Sequence, residues 1–505
     1  MGSNSPWFDT TGCCKNTFTM SELNNKILNA TKWSAKTEVM AKLIAPISTM
    51  VLARLLTPDA FGVVTTLTMI ISFTEIFTDA GFQRYIIQHE FKDDEEKYQV
   101  VNVAFWTNLG MSLLFWCVIA IFSDQLATFV GNPGKGIVIT IACASIPIHA
   151  FSSIQMALYR RSFDFKTLFY TRLVGIFIPI AVTIPLAFWL RNYWALVFGT
   201  IALNLSNAII LTAKSKWKPR FYYNIKHLKE MFSFCSLTIV DTILIWATAY
   251  IDIFLIGIAL NEYYLGIYKT SITTVGQFTS LITTAILPVL MPAFSRLQND
   301  LPQLRATLLK VQKYVAILLL PLGFGIFMFS DLITEVLLGS QWHEASNFIG
   351  IWGLMEVLTI IIARFCSNIY PALGKPQFSV ITQILHLAVL VPAVYIASKY
   401  DFETLYWTRS LVRLQGPFVS VWFVYYLIKL SPWKMATNII PELFASIVMS
   451  AVAAILLHIN SSNVLSFLYI LICCCVYLGI LCIFKNERKV LFTIKNKLLN
   501  KKIKH

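Results

Sequence analysis

"LARLLTPDAFGVV", Leu52–Val64, packs an apolar run, one arginine and a tight turn into a short stretch. The runs on either side of the turn, 35–56 and 62–82, are each about 20 residues, the length of a helix that crosses a bilayer core. Pro58 fixes φ, Asp59 is expected to cap the second helix, and Gly62 lets the next helix pack closely. The stretch therefore reads as the turn of a membrane hairpin. Arg54, one helical turn before it, is placed either to snorkel to the headgroups or to meet an anionic substrate at the outer mouth.

The rest of the chain repeats this texture. Of 505 residues 57% are hydrophobic and 13% charged, where soluble domains carry about 25% charged residues. We expect an all-α polytopic membrane protein with about fourteen spans, at 35–56, 62–82, 99–122, 137–158, 168–190, 193–213, 232–258, 266–290, 312–330, 345–369, 378–398, 405–428, 438–458 and 462–484. A β-barrel would instead need alternating strands of roughly ten residues.

The net charge of +15 does not point to nucleic acid, because of where it lies. Arg160, Arg161 and Lys166 share one loop, and Lys214, Lys216, Lys218, Arg220, Lys226 and Lys229 share another. Arg296, Arg305, Lys310 and Lys313 follow, then the basic tail from Lys485. These segments all fall on one side. The opposite loops, "SDQLATFVGNPGKG", "NEYYLG" and "SDLITEVLLGSQWHEA", are poor in Lys and Arg. That pattern puts the basic side and both termini in the cytoplasm.

The first residues hold no long apolar run, so a cleaved signal is not expected. "MGSNS" fits a myristoylation signal only superficially, and Met20 is an alternative start. Of the ten cysteines, "CCC" at 473–475 reads as small filler in the last span. The seven histidines show no ligand spacing, and no metal or other cofactor is expected.

The opening turn recurs. "TPDAFGVVTTLT" from Thr57 resembles "NEYYLGIYKTSI" from Asn261, aligning Gly62 with Gly266 and Thr66 with Thr270 at an offset of 204. "ALYRRSF" at 157–163 likewise resembles "ALGKPQF" at 372–378. Two matched loops in the same order predict two six-span halves, 35–213 and 232–428. A segment 1–34 precedes them, a basic linker 214–231 joins them, and two added spans (438–484) and a tail 485–505 follow. Parallel halves are a transporter architecture, with the substrate site between them.

Polar residues at membrane depth tend to face a cavity or the bundle interior. Thr65, Thr68, Ser72, Glu75 and Asp79 form one helix face, and Thr270, Thr274, Gln277 and Thr284 form a similar one. Asp241, Thr248 and Asp252 share a third. The hydroxyls either line a cavity or bond back to their own helices. Glu75, Asp79, Asp241, Asp252 and Glu356 are the candidates for coupling to H⁺ or Na⁺. Arg172 and Lys269 lie near span ends, as Arg54 does, while Arg364, Arg409 and Arg413 lie within later spans. Guanidinium forks suit phosphate oxygens; the alternative is again snorkelling.

Together these motifs carry a resemblance. "LARLLTPDAFGVV", "FTDAGFQRYIIQ", "NVAFWTNLG", "YRRSFDFK" and "LPVLMPAFSRLQND" resemble, in order and spacing, the Wzx-like polysaccharide-unit flippases of the multidrug/oligosaccharidyl-lipid/polysaccharide (MOP) superfamily. The resemblance covers about residues 24–430. It implies two six-helix bundles plus two helices around a central cavity. It also implies a substrate class, undecaprenyl-pyrophosphate-linked oligosaccharide units moved to the periplasmic face, with no covalent chemistry. Of the site residues it carries over only the motif position Arg54. Expected partners are the lipid-linked substrate, membrane lipids, a polysaccharide polymerase and chain-length proteins. The rival readings are a drug/cation antiporter and a peptidoglycan-precursor flippase of the same superfamily. A membrane-embedded glycosyltransferase would need a large catalytic loop, which the short loops exclude.

Overall fold

The computed structural model describes residues 20–79, 81–460, 462–485 and 487–488. At 20–32, 34–36, 39, 234–238, 241, 285 and 288–289 it describes the backbone alone. Among the described residues there is no strand.

The long helices are α1 (Met20–Leu55), α2 (Pro58–Asp79), α3 (Asp94–Ile121), α4 (Gly136–Arg161), α5 (Phe165–Leu190), α6 (Trp194–Lys214) and α7 (Ile225–Ala259). They continue with α8 (Glu262–Arg296), α9 (Leu301–Met328), α10 (Ala345–Ala372), α11 (Gln377–Ala397), α12 (Phe402–Ile428), α13 (Ile440–Ile459) and α14 (Asn463–Ile483). Twelve of these are long and apolar enough to cross a membrane. The remaining two are α8, whose side chains at 285 and 288–289 lie outside the described residues, and α1, whose side chains are described throughout only from residue 40.

Local chemistry sets the helix starts. Asn261 caps α8 by accepting from the Tyr264 N–H, and Asp401 caps α12 by accepting from Thr404. Asp59 does not take the capping place expected for it. The helix begins at Pro58, so Asp59 stands in the first turn, where its charge complements the helix dipole.

The close approach anticipated at Gly62 is made not with the neighbouring helix in the chain but with α8, some 200 residues on. A Cβ on Gly62 would lie 1.8 Å from the Glu262 carbonyl oxygen. A Cβ on Gly266 would lie 1.8 Å from the Pro58 carbonyl oxygen. The contact is reciprocal, as a local two-fold requires: each hairpin presents its glycine to the first residue of the other's second helix. With no hydrophobic drive between helices in lipid, such small residues are what let two backbones meet.

Other contacts extend this seal. Gly131 lies against the Gly257 carbonyl, where its Cβ would come within 1.7 Å. The Asn132 amide donates to Thr66 Oγ1 at 2.9 Å, and Lys135 pairs with Glu262 at 3.1 Å. From the C-terminal half, Trp342 is fully buried, donates from Nε1 to the Ala53 carbonyl at 2.7 Å, and sits edge-on to Phe61. Gln341 donates to the carbonyls of Ala53 and Leu56. The core around these groups draws from both halves: Ala53, Val63 and Leu67 on one side, and Ile256, Leu265 and Trp342 on the other.

The added helices α13 and α14 pack on α9. Met449, Ala453, Tyr469 and Tyr477 form a separate core there with Ile317, and Tyr477 donates to the Ile317 carbonyl at 2.9 Å.

Candidate functional site

Most of the charge at membrane depth gathers in the C-terminal half, on α7, α8, α10 and α12. Arg409 and Arg413 are one turn apart on α12, and Trp352 and Glu356 are one turn apart on α10, so two ladders face each other. Arg409 donates from Nε to Asp252 Oδ2 at 2.8 Å, and the Tyr268 hydroxyl donates to the same oxygen at 2.6 Å. Arg413 pairs with Glu356 Oε2, and Arg364 reaches Glu356 Oε1 at 3.6 Å. The Trp352 ring lies between the two arginines of α12, 5.1 Å from the Arg409 guanidinium and 4.4 Å from that of Arg413. Lys269 stands 5.3 Å from the Tyr250 ring centre.

Arg364 joins this group through a backbone irregularity. In a regular α-helix a residue eight positions on would be rotated by about 80°. Residues Ile360–Arg364 form a π-turn, which absorbs one extra residue. The effective offset becomes about −20°, so Arg364 falls back on the Glu356 face. Turns of this kind recur at functional sites.

The cluster holds three paired guanidinium groups (Arg364, Arg409 and Arg413) and two carboxylates (Asp252 and Glu356), with Lys269 near enough to Asp252 to interact with its charge. Its surplus is two positive charges. Buried charges persist only when paired and hydrogen-bonded, and Asp252, Arg409 and Glu356 are all buried.

The N-terminal half carries the acidic counterpart. Glu75 Oε1 is 3.4 Å from His149 Nδ1, a partner that His149's isolated place in the sequence did not reveal. Asp79 lies one turn further along α2, and its Oδ1 is buried without a hydrogen-bond partner. Arg172 pairs with Glu38 at 3.0 Å. The side chain of Asp241 lies outside the described residues.

The hydroxyl stripes divide. Thr65, Thr68 and Ser72 donate to the carbonyls of Phe61, Val64 and Met69 on their own helix. Ser72 also accepts from Trp246 of α7 at 3.1 Å. Thr65 and Thr270 are buried about one turn beyond the two sealing glycines. Thr274 and Gln277 line a cavity of about 140 Å³ between α1 and α8, where Gln277 donates to Thr49. Thr284 is exposed and bonds back to Ser280.

Arg54 has a partner that neither sequence reading contained. It reaches across the halves and donates to the carbonyls of Val336 (2.7 Å) and Glu335 (3.4 Å). These close the short helix Ser330–Leu337, whose C-terminal carbonyls favour a cation. Arg54 is thus a clamp on the seal. Because it is exposed, Arg54→Ala is expected to reduce transport only severalfold, measured against Arg364→Ala at equal protein levels.

Trp342, Gln341, Trp352 and Tyr268 were not singled out by the sequence reading. An isolated aromatic or amide in an apolar chain gives no local sign of a partner hundreds of residues away.

Among solved structures, the fold is similar to "Lipid II flippase MurJ, inward closed conformation", with TM-score 0.71 and 14% identity over 90% of this chain and 98% of that one. It is also similar to the inward-facing conformation of a multidrug resistance MATE family transporter of the MOP superfamily, with TM-score 0.59 and 13% identity over 77% of this chain and 96% of the other. The chain therefore shares its fold with these two structures.

Residues 51–347 match the polysaccharide biosynthesis protein family, and the chain belongs to it. The teichuronic acid biosynthesis protein TuaB of Bacillus subtilis is 21% identical over 82% of this chain and 85% of its own length. The succinoglycan biosynthesis transport protein ExoT of Rhizobium meliloti is 22% identical over 68% and 67%. The lipopolysaccharide biosynthesis protein WzxC of Escherichia coli is 19% identical over 75% and 76%.

Proposed function

We propose that this protein is a flippase for lipid-linked oligosaccharide units. It moves undecaprenyl-pyrophosphate-linked repeat units from the cytoplasmic to the outer face of the plasma membrane by alternating access and catalyses no covalent step. The observation that carries this reading is the charge cluster that joins Asp252 and Glu356 to Arg364, Arg409 and Arg413, with Lys269 beside Asp252 and a surplus of two positive charges. A pyrophosphate diester carries about two negative charges and presents oxygens that guanidinium forks bind bidentately. A drug or cation antiporter would instead want a surplus of carboxylates there.

The sugar head cannot cross hydrocarbon bare, since its hydroxyls would lose their water hydrogen bonds. Ser72, Thr274, Gln277 and the acidic groups on α2 offer replacements. Glu75 and Asp79, close to His149, are the proposed site of H⁺ or Na⁺ coupling. The one-sided distribution of Lys and Arg supports an orientation with the seal at the outer face and both termini in the cytoplasm. A polysaccharide polymerase and chain-length proteins are the proposed recipients of the flipped unit.

A deletion strain is expected to accumulate the lipid-linked unit on the cytoplasmic face and to lose surface polysaccharide, with both restored by the plasmid-borne gene. Unchanged polysaccharide together with increased drug sensitivity would support the antiporter instead. In a cysteine-free background, Ser72→Cys and Glu75→Cys are expected to react with small aqueous thiol reagents. Reaction with membrane-soluble reagents alone would place the α2 stripe against lipid.

A further inference from the structure

Two guanidinium groups converge on a single carboxylate in this protein. Glu356 offers Oε1 to Arg364 and Oε2 to Arg413. Arg409, on the same helix as Arg413, is committed elsewhere: its Nε and the Tyr268 hydroxyl share one oxygen of Asp252. The three arginines are therefore not equivalent. Arg409 belongs to a buried pair with Asp252, while Arg364 and Arg413 share an anion that is a single side chain.

We propose that Glu356 is an internal competitor of the substrate: its carboxylate takes the place between Arg364 and Arg413 that a pyrophosphate oxygen pair takes during transport. This inference rests on the flippase reading above.

The geometry supports such an exchange. A carboxylate and a phosphate both present a pair of oxygens to a guanidinium fork. The Arg364 contact is long at 3.6 Å, its side chain is 44% exposed, and the residue ends the π-turn. That arm of the pair is the one an incoming anion can open. Arg413 Nε, like Arg409 Nη1 one turn away, is buried without a hydrogen-bond partner, so beside the Glu356 contact a donor remains for a second anion. The Trp352 face beside it holds the guanidinium in place whichever anion it binds.

The exchange has a purpose in transport. A conducting site must bind well enough to load and weakly enough to unload. Two arginines at membrane depth with nothing to compete would hold a pyrophosphate too tightly. With Glu356 present, binding must first break an existing ion pair, and release is helped by that pair re-forming. Glu356 therefore lowers affinity and raises turnover.

The test uses the full chain in nanodiscs, with radiolabelled undecaprenyl pyrophosphate as probe and undecaprenol as its uncharged comparator. Glu356→Gln is expected to bind the pyrophosphate roughly tenfold tighter with undecaprenol binding unchanged. In a flipping assay both the apparent KM and the maximal rate should fall. Arg364→Gln is expected to bind roughly tenfold weaker. If Glu356→Gln does not fold, Glu356→Asp, which keeps the charge on a shorter stem, should still bind severalfold tighter than wild type.

Equal or weaker pyrophosphate binding by the folded Glu356 variant overturns the competitor role and leaves the flippase reading intact, provided the wild type prefers the pyrophosphate over undecaprenol. A wild type without that preference overturns both.

Discussion

Gly62→Leu is expected to abolish transport while leaving the protein in the membrane. The Glu262 carbonyl stands 1.8 Å from where even a first side-chain carbon would sit. That oxygen belongs to a helix backbone and cannot swing aside, so relief comes only from separating α2 and α8. Overpacking of this kind costs about 1–3 kcal/mol or more. In an alternating-access protein the cost falls on the sealed state alone, because the state open at this end no longer makes the contact. A shift of that size changes the balance of the two states by roughly five- to more than a hundredfold.

The measurement is the reaction of an impermeant thiol reagent, applied from outside, with a cysteine placed at Thr66, which is buried behind the glycines. Gly62→Leu should make it reactive in an otherwise cysteine-free protein. Gly266→Leu should act alike, since its contact with Pro58 is the mirror of the first. The double variant should add little, because both single changes open one interface. Normal transport and an unreactive position 66 in Gly62→Leu would show that this crossing is not the gate.

The second large effect is expected at the arginines. Each charge-assisted bond lost should cost roughly 1.5–3 kcal/mol, about ten- to more than a hundredfold in substrate binding. Arg364→Ala and Arg413→Ala should therefore each cripple complementation of a flippase-null strain at normal protein levels, and the double variant should abolish it. Arg→Lys at either position should restore it partly, since lysine keeps the charge and loses the fork. Arg413→Ala also strips Glu356 of its closer partner, so membrane protein levels must be followed alongside. Full complementation by the double alanine variant would remove phosphate recognition from this cluster and raise the drug-antiporter reading.

What could be read from the sequence was local or repetitive. Span-length apolar runs gave the membrane class, because the bilayer sets a length that composition alone reveals. The repeated turn singled out Gly62 and Gly266 before any contact between them was visible. The four-residue step from Arg409 to Arg413 placed both on one helix face, since helical period is a property of neighbouring residues.

The partners of these residues were set by packing between distant segments. That Gly62 meets Glu262 and Gly266 meets Pro58 follows from how two hairpins cross, which neither hairpin encodes alone. Arg54 became a clamp because the short helix Ser330–Leu337 ends beside it, 282 residues later in the chain. Asp252 and Arg409 are 157 residues apart. Arg364 reached Glu356 through a π-turn, and nothing in "IIIAR" announces the extra residue in that turn. Pattern along the chain fixes which face a side chain shares with its near neighbours. Which opposite charge it meets depends on the crossing of helices, decided by close packing and by the need to pair every buried charge.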